Sequence, residues 1–375
     1  MRADRFAHRR ADLLALAQTL VAYDTPSGAK AHCDTLADLL ATRLADLGQI
    51  ERFANPAGGD HLALRVPAPQ APTARPTLIL CHYDTVWPLG TAAARPLQIE
   101  GDTAFGPGLY DMKVSIALTE LALRELGPHG LARPVTFLLT SDEEIGSPTS
   151  RELIEREARA SAHVLVLEPP VEPHGALKTA RKGIGAFTVR ISGRAAHAGV
   201  EPEKGASAIT ELAHQVLAIN ALADPALGTT LNVGIVHGGS GRNVVPAEAT
   251  LEIDARAWRS DEANRVTQAL YGLVPQTPGV HLATTGSFSR PPMERTPASL
   301  ALFAQAQHVA RDLDLELSEG STGGGSDGNF TAAVGTPTLD GLGAPGQGAH
   351  ATYEQISISG ALQRLALLVA LLTGL

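Results

Sequence analysis

The sequence predicts an α/β protein of two domains, a smaller α+β domain interrupting a larger one, and three observations carry that prediction. At 375 residues the chain is long for a single hydrophobic core. Three short apolar runs, at 77–81, 135–140 and 162–167, are bounded by prolines, turns or charged residues and read as buried strands. From about residue 183 the texture changes to half-exposed strands at 186–192, 231–236, 249–257 and 280–288, with helices at 205–221 and 261–273. That β-α-β-β-α-β order implies a four-stranded antiparallel sheet with two helices on one face. Buried patterns return after Pro291-Pro292, so the first domain is expected at 1–182 and 292–375, with 183–291 inserted.

In chain order, apolar spacing predicts helices over 9–21 and 32–47, separated by the loop Thr25-Pro26-Ser27-Gly28. A strand follows at 61–66, then a proline-rich surface loop at 67–76. Helices are expected over 112–126, 149–159 and 297–313, and a docked terminal helix over 361–375. Glycine-rich loops occupy 320–328 and 341–348. The sequence shows no internal repeats.

Composition narrows the function classes. Lys and Arg total 30 against 39 Asp and Glu, a formal charge of −9, which does not suit a phosphate backbone. The two cysteines, Cys33 and Cys81, are too few for a disulfide framework and fit a reducing compartment. The segment beginning Met1-Arg2-Ala3-Asp4-Arg5 is mixed and amphipathic rather than signal-like. No apolar run reaches the roughly 18 residues that suggest a membrane span. A cytoplasmic protein without nucleic-acid or membrane partners is the expectation.

The chemistry collects at strand ends. The three apolar runs finish in His82-Tyr83-Asp84, in Asp142-Glu143-Glu144 and in Glu168. In open α/β sheets the ligand crevice lies outside those carboxyl ends. Neighbouring residues of a regular strand face opposite ways, so Glu143 and Glu144 share a site only where the strand stops. Taken alone, the acidic triplet reads equally as a solvated loop, Asp111 as a helix N-cap and Asp84 as a turn residue. In combination with Asp111 and His350 in glycine-rich loops, the set is one of imidazoles and carboxylates, the donors of catalytic zinc. The carboxylates outnumber what one closed ion needs, which favours two metals and a bridging carboxylate. The histidines at 8, 32, 61, 129, 163, 174, 214, 281 and 308 read as bystanders, and His237 as a turn residue.

Five motifs then carry a resemblance over nearly the whole chain: His82-Tyr83-Asp84-Thr85-Val86, Gly106-Pro107-Gly108-x-x-Asp111-Met112-Lys113, Ser141-Asp142-Glu143-Glu144-x-Gly146-Ser147, Glu168-Pro169 and Gly348-Ala349-His350. The series resembles the co-catalytic di-zinc metallopeptidase and deacylase family of glutamate carboxypeptidase, succinyl-diaminopimelate desuccinylase, acetylornithine deacetylase and aminoacylase. The resemblance implies a mixed-sheet, discontinuous zinc-peptidase catalytic domain with an inserted dimerisation domain. It implies two Zn2+ ions, with Co2+ or Mn2+ as substitutes. His82 and Glu168 would hold one ion, Glu144 and His350 the other, and Asp111 would bridge them. Asp84 would orient His82, Glu143 would act as general base and acid, and the Asp111–Met112 peptide would be cis.

The inserted segment is similar to the family's in Ala195-Ala196-His197-Ala198-Gly199, whose histidine serves the partner's site in a homodimer, so His197 would steady the oxyanion in trans. By the same resemblance Asn243 would bind substrate. Arg256 and Arg290 would take a substrate carboxylate, for which a guanidinium fork is suited, although each also reads as an ordinary ion-pair partner. Gly325 lies in a Gly-Gly-Gly-Ser-Asp-Gly run whose backbone N–H groups can hold a carboxylate; no Lys-Ser/Thr follows, so it is not a phosphate loop. The glutamate carboxypeptidase type fits best around the last histidine. The implied function is amide hydrolysis that releases a C-terminal amino acid, glutamate foremost, from an N-acyl amino acid or small peptide. An N-acyl-amino-acid deacylase or desuccinylase is the alternative. A non-catalytic binding protein would have lost Glu143, and no dinucleotide fingerprint supports an oxidoreductase.

Overall fold

The computed structural model describes residues 3–375; Met1 and Arg2, the start of the N-terminal segment read above, lie outside the described residues. The chain divides into two compact units. One comprises the stretch ending at Thr179 together with Arg295–Thr322 and Ser326–Leu375; the other comprises Ala180–Glu294 and Gly323–Gly325.

The first unit is built on a six-stranded mixed sheet in the order Gln49–Phe53, His61–Val66, Val135–Thr140, Thr77–His82, His163–Val166, Thr338–Leu339. The last four strands run parallel and His61–Val66 runs antiparallel to its neighbours. Strands Thr77–His82 and Val135–Thr140 are buried along their whole length, which is why they read as continuous apolar runs without alternation. Their side chains nonetheless sort by parity. Ile79, Cys81, Phe137 and Leu139 pack with residues of the helices Arg10–Val21, Lys30–Leu44, Val114–Leu126, Pro297–Arg311 and Ile358–Gly374. Leu78, Leu80 and Leu138 pack with Leu153, Ile154 and Ala158 of the helix Arg151–Ala160, and with Phe330. Both faces are therefore covered, and the polar ends of the parallel strands are left to form the crevice.

Several features were not read from the sequence, among them a strand pair Leu177–Arg181 and Glu319–Thr322, the latter at the start of the expected loop 320–328. Gln49–Phe53 is a largely exposed edge strand whose two apolar residues, Ile50 and Phe53, are half-buried on opposite faces. A second, small sheet joins Gly346–Gln347, Gln355–Ser357, Thr103–Phe105 and Gln98–Glu100, strands of two or three residues each. It ties together the loops that carry Asp111 and His350. Cys33 and Cys81 are buried and unbridged. Among the described residues no helix is long and apolar enough to cross a membrane.

The second unit has the four-stranded antiparallel sheet expected, in the order Thr230–Gly238, Glu248–Ala257, Gly183–Ser192, His281–Arg290. Phe187, Val189, Ile191, Leu251 and Ile253 face one way and share a core with Ala208 and Ile219 of the helix Ala208–Asn220 and with Val266 and Leu270 of Ser260–Tyr271. The two helices thus cover one face, and the alternating strand pattern records it.

Candidate active site

His82 closes strand Thr77–His82 and is buried. Its Nδ1 lies 3.0 Å from the backbone oxygen of Asp84. A carbonyl can only accept, so Nδ1 carries a proton and Nε2 is the ring nitrogen turned toward the crevice. The Asp84 carboxylate, 3.5 Å from Nδ1, has a second task. Its Oδ1 accepts from the Glu143 N–H at 3.2 Å, and Oδ2 from the Glu144 N–H at 3.2 Å and the Ser27 hydroxyl at 2.6 Å. One fully buried carboxylate therefore joins the imidazole to the acidic turn.

That turn begins where strand Val135–Thr140 stops and is a single 3-10 turn, Glu143–Ile145. The Asp142 carboxylate accepts from Thr149 N at 2.7 Å, Ser150 N at 3.2 Å and Ser150 Oγ at 2.5 Å, capping the start of helix Arg151–Ala160 from outside it. Asp142 thus faces away from the chemistry, which leaves Glu143 and Glu144 for the crevice. Ser147, at φ 59°, donates to the Asp327 carboxylate, which also accepts from Thr140 Oγ1 at 3.2 Å.

Asp111 is not an N-cap. Helix Val114–Leu126 starts after it and has no side-chain cap. The Asp111–Met112 peptide is cis, as the resemblance implies. Gly108 before it has φ 67°, and a Cβ there would lie 2.5 Å from Thr85 Cγ2, so only glycine suits the approach.

These pieces converge. Asp111 offers Oδ1 to His82 Nε2 at 3.2 Å and Oδ2 to His350 Nε2 at 3.4 Å. Glu168 Oε1 is 3.6 Å from His82 Nε2, and Glu144 Oε2 is 3.0 Å from His350 Nε2. The Glu143 carboxylate lies in one group with His82 and Glu168, and Glu144 in another with His82 and Asp111, ligand atoms within 4.8 Å of each other. Glu144 Oε1 is buried with no hydrogen-bond partner. Three of the four imidazole–carboxylate separations reach or exceed the long end of a direct hydrogen bond. Donors about 2.1 Å from a tetrahedral zinc stand about 3.4 Å from one another, so the spacing fits a shared cation. The donor chemistry and the orphaned Glu144 oxygen fit a divalent metal in the same way.

The electrostatics agree. Burial opposes a charge on His82, but hydrogen bonds to Asp111 and Asp84 hold its pKa well above the ordinary value. Hydrogen bonds to Asp111 and Glu144 outweigh burial at His350 and raise it to about 10. Against the effect of burial, the His350 and His82 imidazoles hold Asp111 well below the usual carboxylate range, whereas burial pushes Glu144 up. The cluster is a cation-demanding pocket.

The remaining sequence candidates lie in the second unit. His197 is exposed in a loop that bridges to Val244, and its Nδ1 accepts from Gly199 N at 3.2 Å. Asn243 sits beside it, its carbonyl accepting from Ala198 N at 3.0 Å. Arg256 pairs with Asp254 at 2.7 Å and donates to Gly323 O at 3.3 Å. Arg290 is buried, and a Cβ on Gly325 would lie 2.9 Å from its Cδ. The buried Arg181 donates to Gly325 O at 2.9 Å, so three arginines gather at Gly323–Gly325. Sequence reasoning did not group Arg181 with them. It also set His61 and His163 aside as bystanders; both are buried at the starts of the expected strands and hydrogen-bonded, to Thr149 Oγ1 at 3.0 Å and Thr77 Oγ1 at 2.9 Å. Asp327, which accepts from Ser147 and Thr140, was read only as part of the Gly-Gly-Gly-Ser-Asp-Gly run, and Glu354, which accepts from the Asp111 loop, escaped it altogether.

Residues 179–278 match the sequence model of a peptidase dimerisation domain. Carboxypeptidase G2 of Pseudomonas sp. (strain RS-16) is 30% identical over 367 residues, covering 96% of this chain and 88% of that protein. Succinyl-diaminopimelate desuccinylase of Acidovorax ebreus (strain TPSY) is 28% identical over 376 residues, covering 92% and 93%. Among solved structures, aminopeptidase PepT from Bacillus cereus ATCC 10987 superposes with a TM-score of 0.80 at 24% identity, covering 97% of this chain and 98% of that one. An M20 family metallo-carboxypeptidase, Sso-CP2 from Sulfolobus solfataricus, gives 0.73 at 16% identity, covering 96% and 98%. With its sheet, its inserted dimerisation domain and its imidazole–carboxylate cluster, the chain belongs to the M20 family of metallopeptidases and deacylases, enzymes that hydrolyse amide bonds with a divalent metal.

Proposed function

We propose that this chain is a di-zinc hydrolase that releases a C-terminal amino acid, glutamate foremost, from an N-acyl amino acid or small peptide. The observation that carries the reading is the arrangement of Asp111, one carboxylate oxygen toward each of His82 and His350, with Glu168 and Glu144 beside them. In this reading His82 and Glu168 would hold one zinc and Glu144 and His350 the other, with Asp111 available to both. The metal pair, when bound, supplies Lewis acidity toward the scissile carbonyl and toward water.

The chain's own residues do the rest. Glu143 takes the proton of the attacking water on its carboxylate and delivers it to the departing amine nitrogen. Asp84 holds His82 in the tautomer that leaves Nε2 free and fixes the Glu143 backbone through its N–H. His197 donates to the developing oxyanion in the site of a partner subunit. The match to a dimerisation domain supports that arrangement, and so does the edge strand Thr230–Gly238, which leaves Ile235 and Val236 half exposed. Asn243 and the arginines at Gly323–Gly325, Arg256 and Arg290 among them, receive the substrate's carboxylate. The likeness to carboxypeptidase G2 over nearly the whole chain supports a C-terminal amino acid as product. The two unbridged cysteines support a reducing, cytoplasmic setting.

A second reading, deacylation of N-acyl amino acids of the succinyl-diaminopimelate or acetylornithine type, is favoured by relatives so named. A hydrolysis screen of N-acyl amino acids and dipeptides with varied C-terminal residues, with zinc or cobalt supplied, separates the two. Preference for C-terminal Glu or Asp is expected. Turnover confined to acetyl- or succinyl-diamines would replace the first reading with the second.

A further inference from the structure

We propose that Glu354 is a positioning residue that fixes the distance between the loops carrying Asp111 and His350, and thereby the spacing of the metal pair. The inference rests on the di-metal reading of the cluster. Glu354 is buried, yet none of its four hydrogen-bond donors is a lysine, an arginine or a histidine. Its Oε1 accepts from the N–H groups of Tyr110 at 2.9 Å and Asp111 at 3.0 Å. Its Oε2 accepts from the N–H of Gly108 at 2.8 Å and the indole Nε1 of Trp87 at 2.9 Å.

Three of those donors are successive parts of one loop, 243 to 246 residues away in sequence. The carboxylate itself stands four positions after His350. Its own backbone reinforces the link, since Glu354 O accepts from Gly106 N at 3.2 Å and the next residue pairs Phe105 in the small sheet. Arg95 adds a brace, stacking 4.1 Å over the Trp87 ring and donating to Thr352 O at 2.9 Å.

Backbone N–H groups aimed at one carboxylate make short, charge-assisted hydrogen bonds that are difficult to rearrange. Asp111 therefore enters the cluster with its main chain already anchored from the His350 side. Partners one shell removed from a metal typically alter affinity or activity 10–100-fold when substituted. Glu354→Gln keeps the shape but sets an amide N–H2 against two of the four donors.

The test uses the full chain. Zinc affinity is measured by competition with a chelator, the cobalt(II) visible spectrum reports ligand geometry, and thermal unfolding checks the fold. Trp87→Phe, which removes one donor and leaves the carboxylate, is measured alongside. Expected are a 10–100-fold loss of affinity at one or both ions and an altered cobalt band in Glu354→Gln. A smaller change in the same direction is expected in Trp87→Phe. A folded Glu354→Gln protein with wild-type affinity and spectrum overturns the inference. If that variant does not fold, Trp87→Phe decides, and a wild-type spectrum in it overturns the inference. Failure of the wild type itself to bind two ions would instead overturn the di-metal reading and the inference with it.

Discussion

Two buried histidines lie on adjacent parallel strands, at opposite edges of the same sheet. His82 ends its strand at the carboxyl edge; His163 begins its strand at the amino edge, in register with Thr77. At His163 burial, helped by the Arg133 charge, pushes the imidazole pKa down to about 4. At His82 burial acts in the same sense, but Asp111 and Asp84 reverse it and the pKa rises. Desolvation is common to both edges, and carboxylates are concentrated at one. The contrast sets the carboxyl edge apart on electrostatic grounds, independently of any motif.

The largest effect expected from disturbing the carboxyl edge comes from Glu143→Ala. General acid–base help is typically worth about 10²–10⁴-fold, and a loss of turnover in that range is expected while metal content stays at the wild-type level. Turnover and bound metal measured on the same preparation decide it. Wild-type turnover removes Glu143 from the proton path. Loss of one metal equivalent would instead make it a ligand, a role its proximity to His82 and Glu168 also allows.

Asp84→Asn comes next. The amide cannot accept from both the Glu143 and Glu144 N–H groups, so the acidic turn and His82 lose their common brace. Metal affinity is expected to fall about 10–100-fold with the fold intact, as read by chelator competition. An unchanged affinity would mean that the 3.0 Å bond from His82 Nδ1 to the Asp84 backbone oxygen suffices alone.

Much of the carboxyl edge was legible in the sequence, because strands buried on both faces are apolar throughout and polar residues stand out where they stop. His82, the Glu143-Glu144 pair and Glu168 are all announced in this way. Asp111 was legible only in the company of the others, since an aspartate before a helical pattern is also what a cap looks like. Glu354 left no signal, because its partners are backbone N–H groups of a loop more than 240 residues away. The small sheet that brings those loops together has strands of two and three residues, too short for any period to show. Gln49–Phe53 was missed for a related reason, since Ile50 and Phe53, its two apolar residues, fall on opposite faces and give no alternating pattern. At the amino edge His163 reads as a bystander.

His163 still has a measurable consequence. Its folded-state pKa, about 4, lies below the ordinary 6.5, so the native state favours the neutral ring. Above pH 6.5 the ring is neutral in both states and its contribution to stability is fully present. As pH falls from 6.5 toward 4 the unfolded chain binds a proton that the folded chain refuses, and stability declines. At about 1.4 kcal/mol per pKa unit the loss amounts to about 3 kcal/mol across that window. His163→Gln removes the titration, so unfolding free energies at pH 7 and pH 4.5 should differ less in the variant than in the wild type. Comparing the two pH dependences cancels the constant cost of the substitution and of every other group. Equal pH dependences would show that burial and the Arg133 charge do not keep the ring neutral, and that the two edges of the sheet differ less than their charges imply.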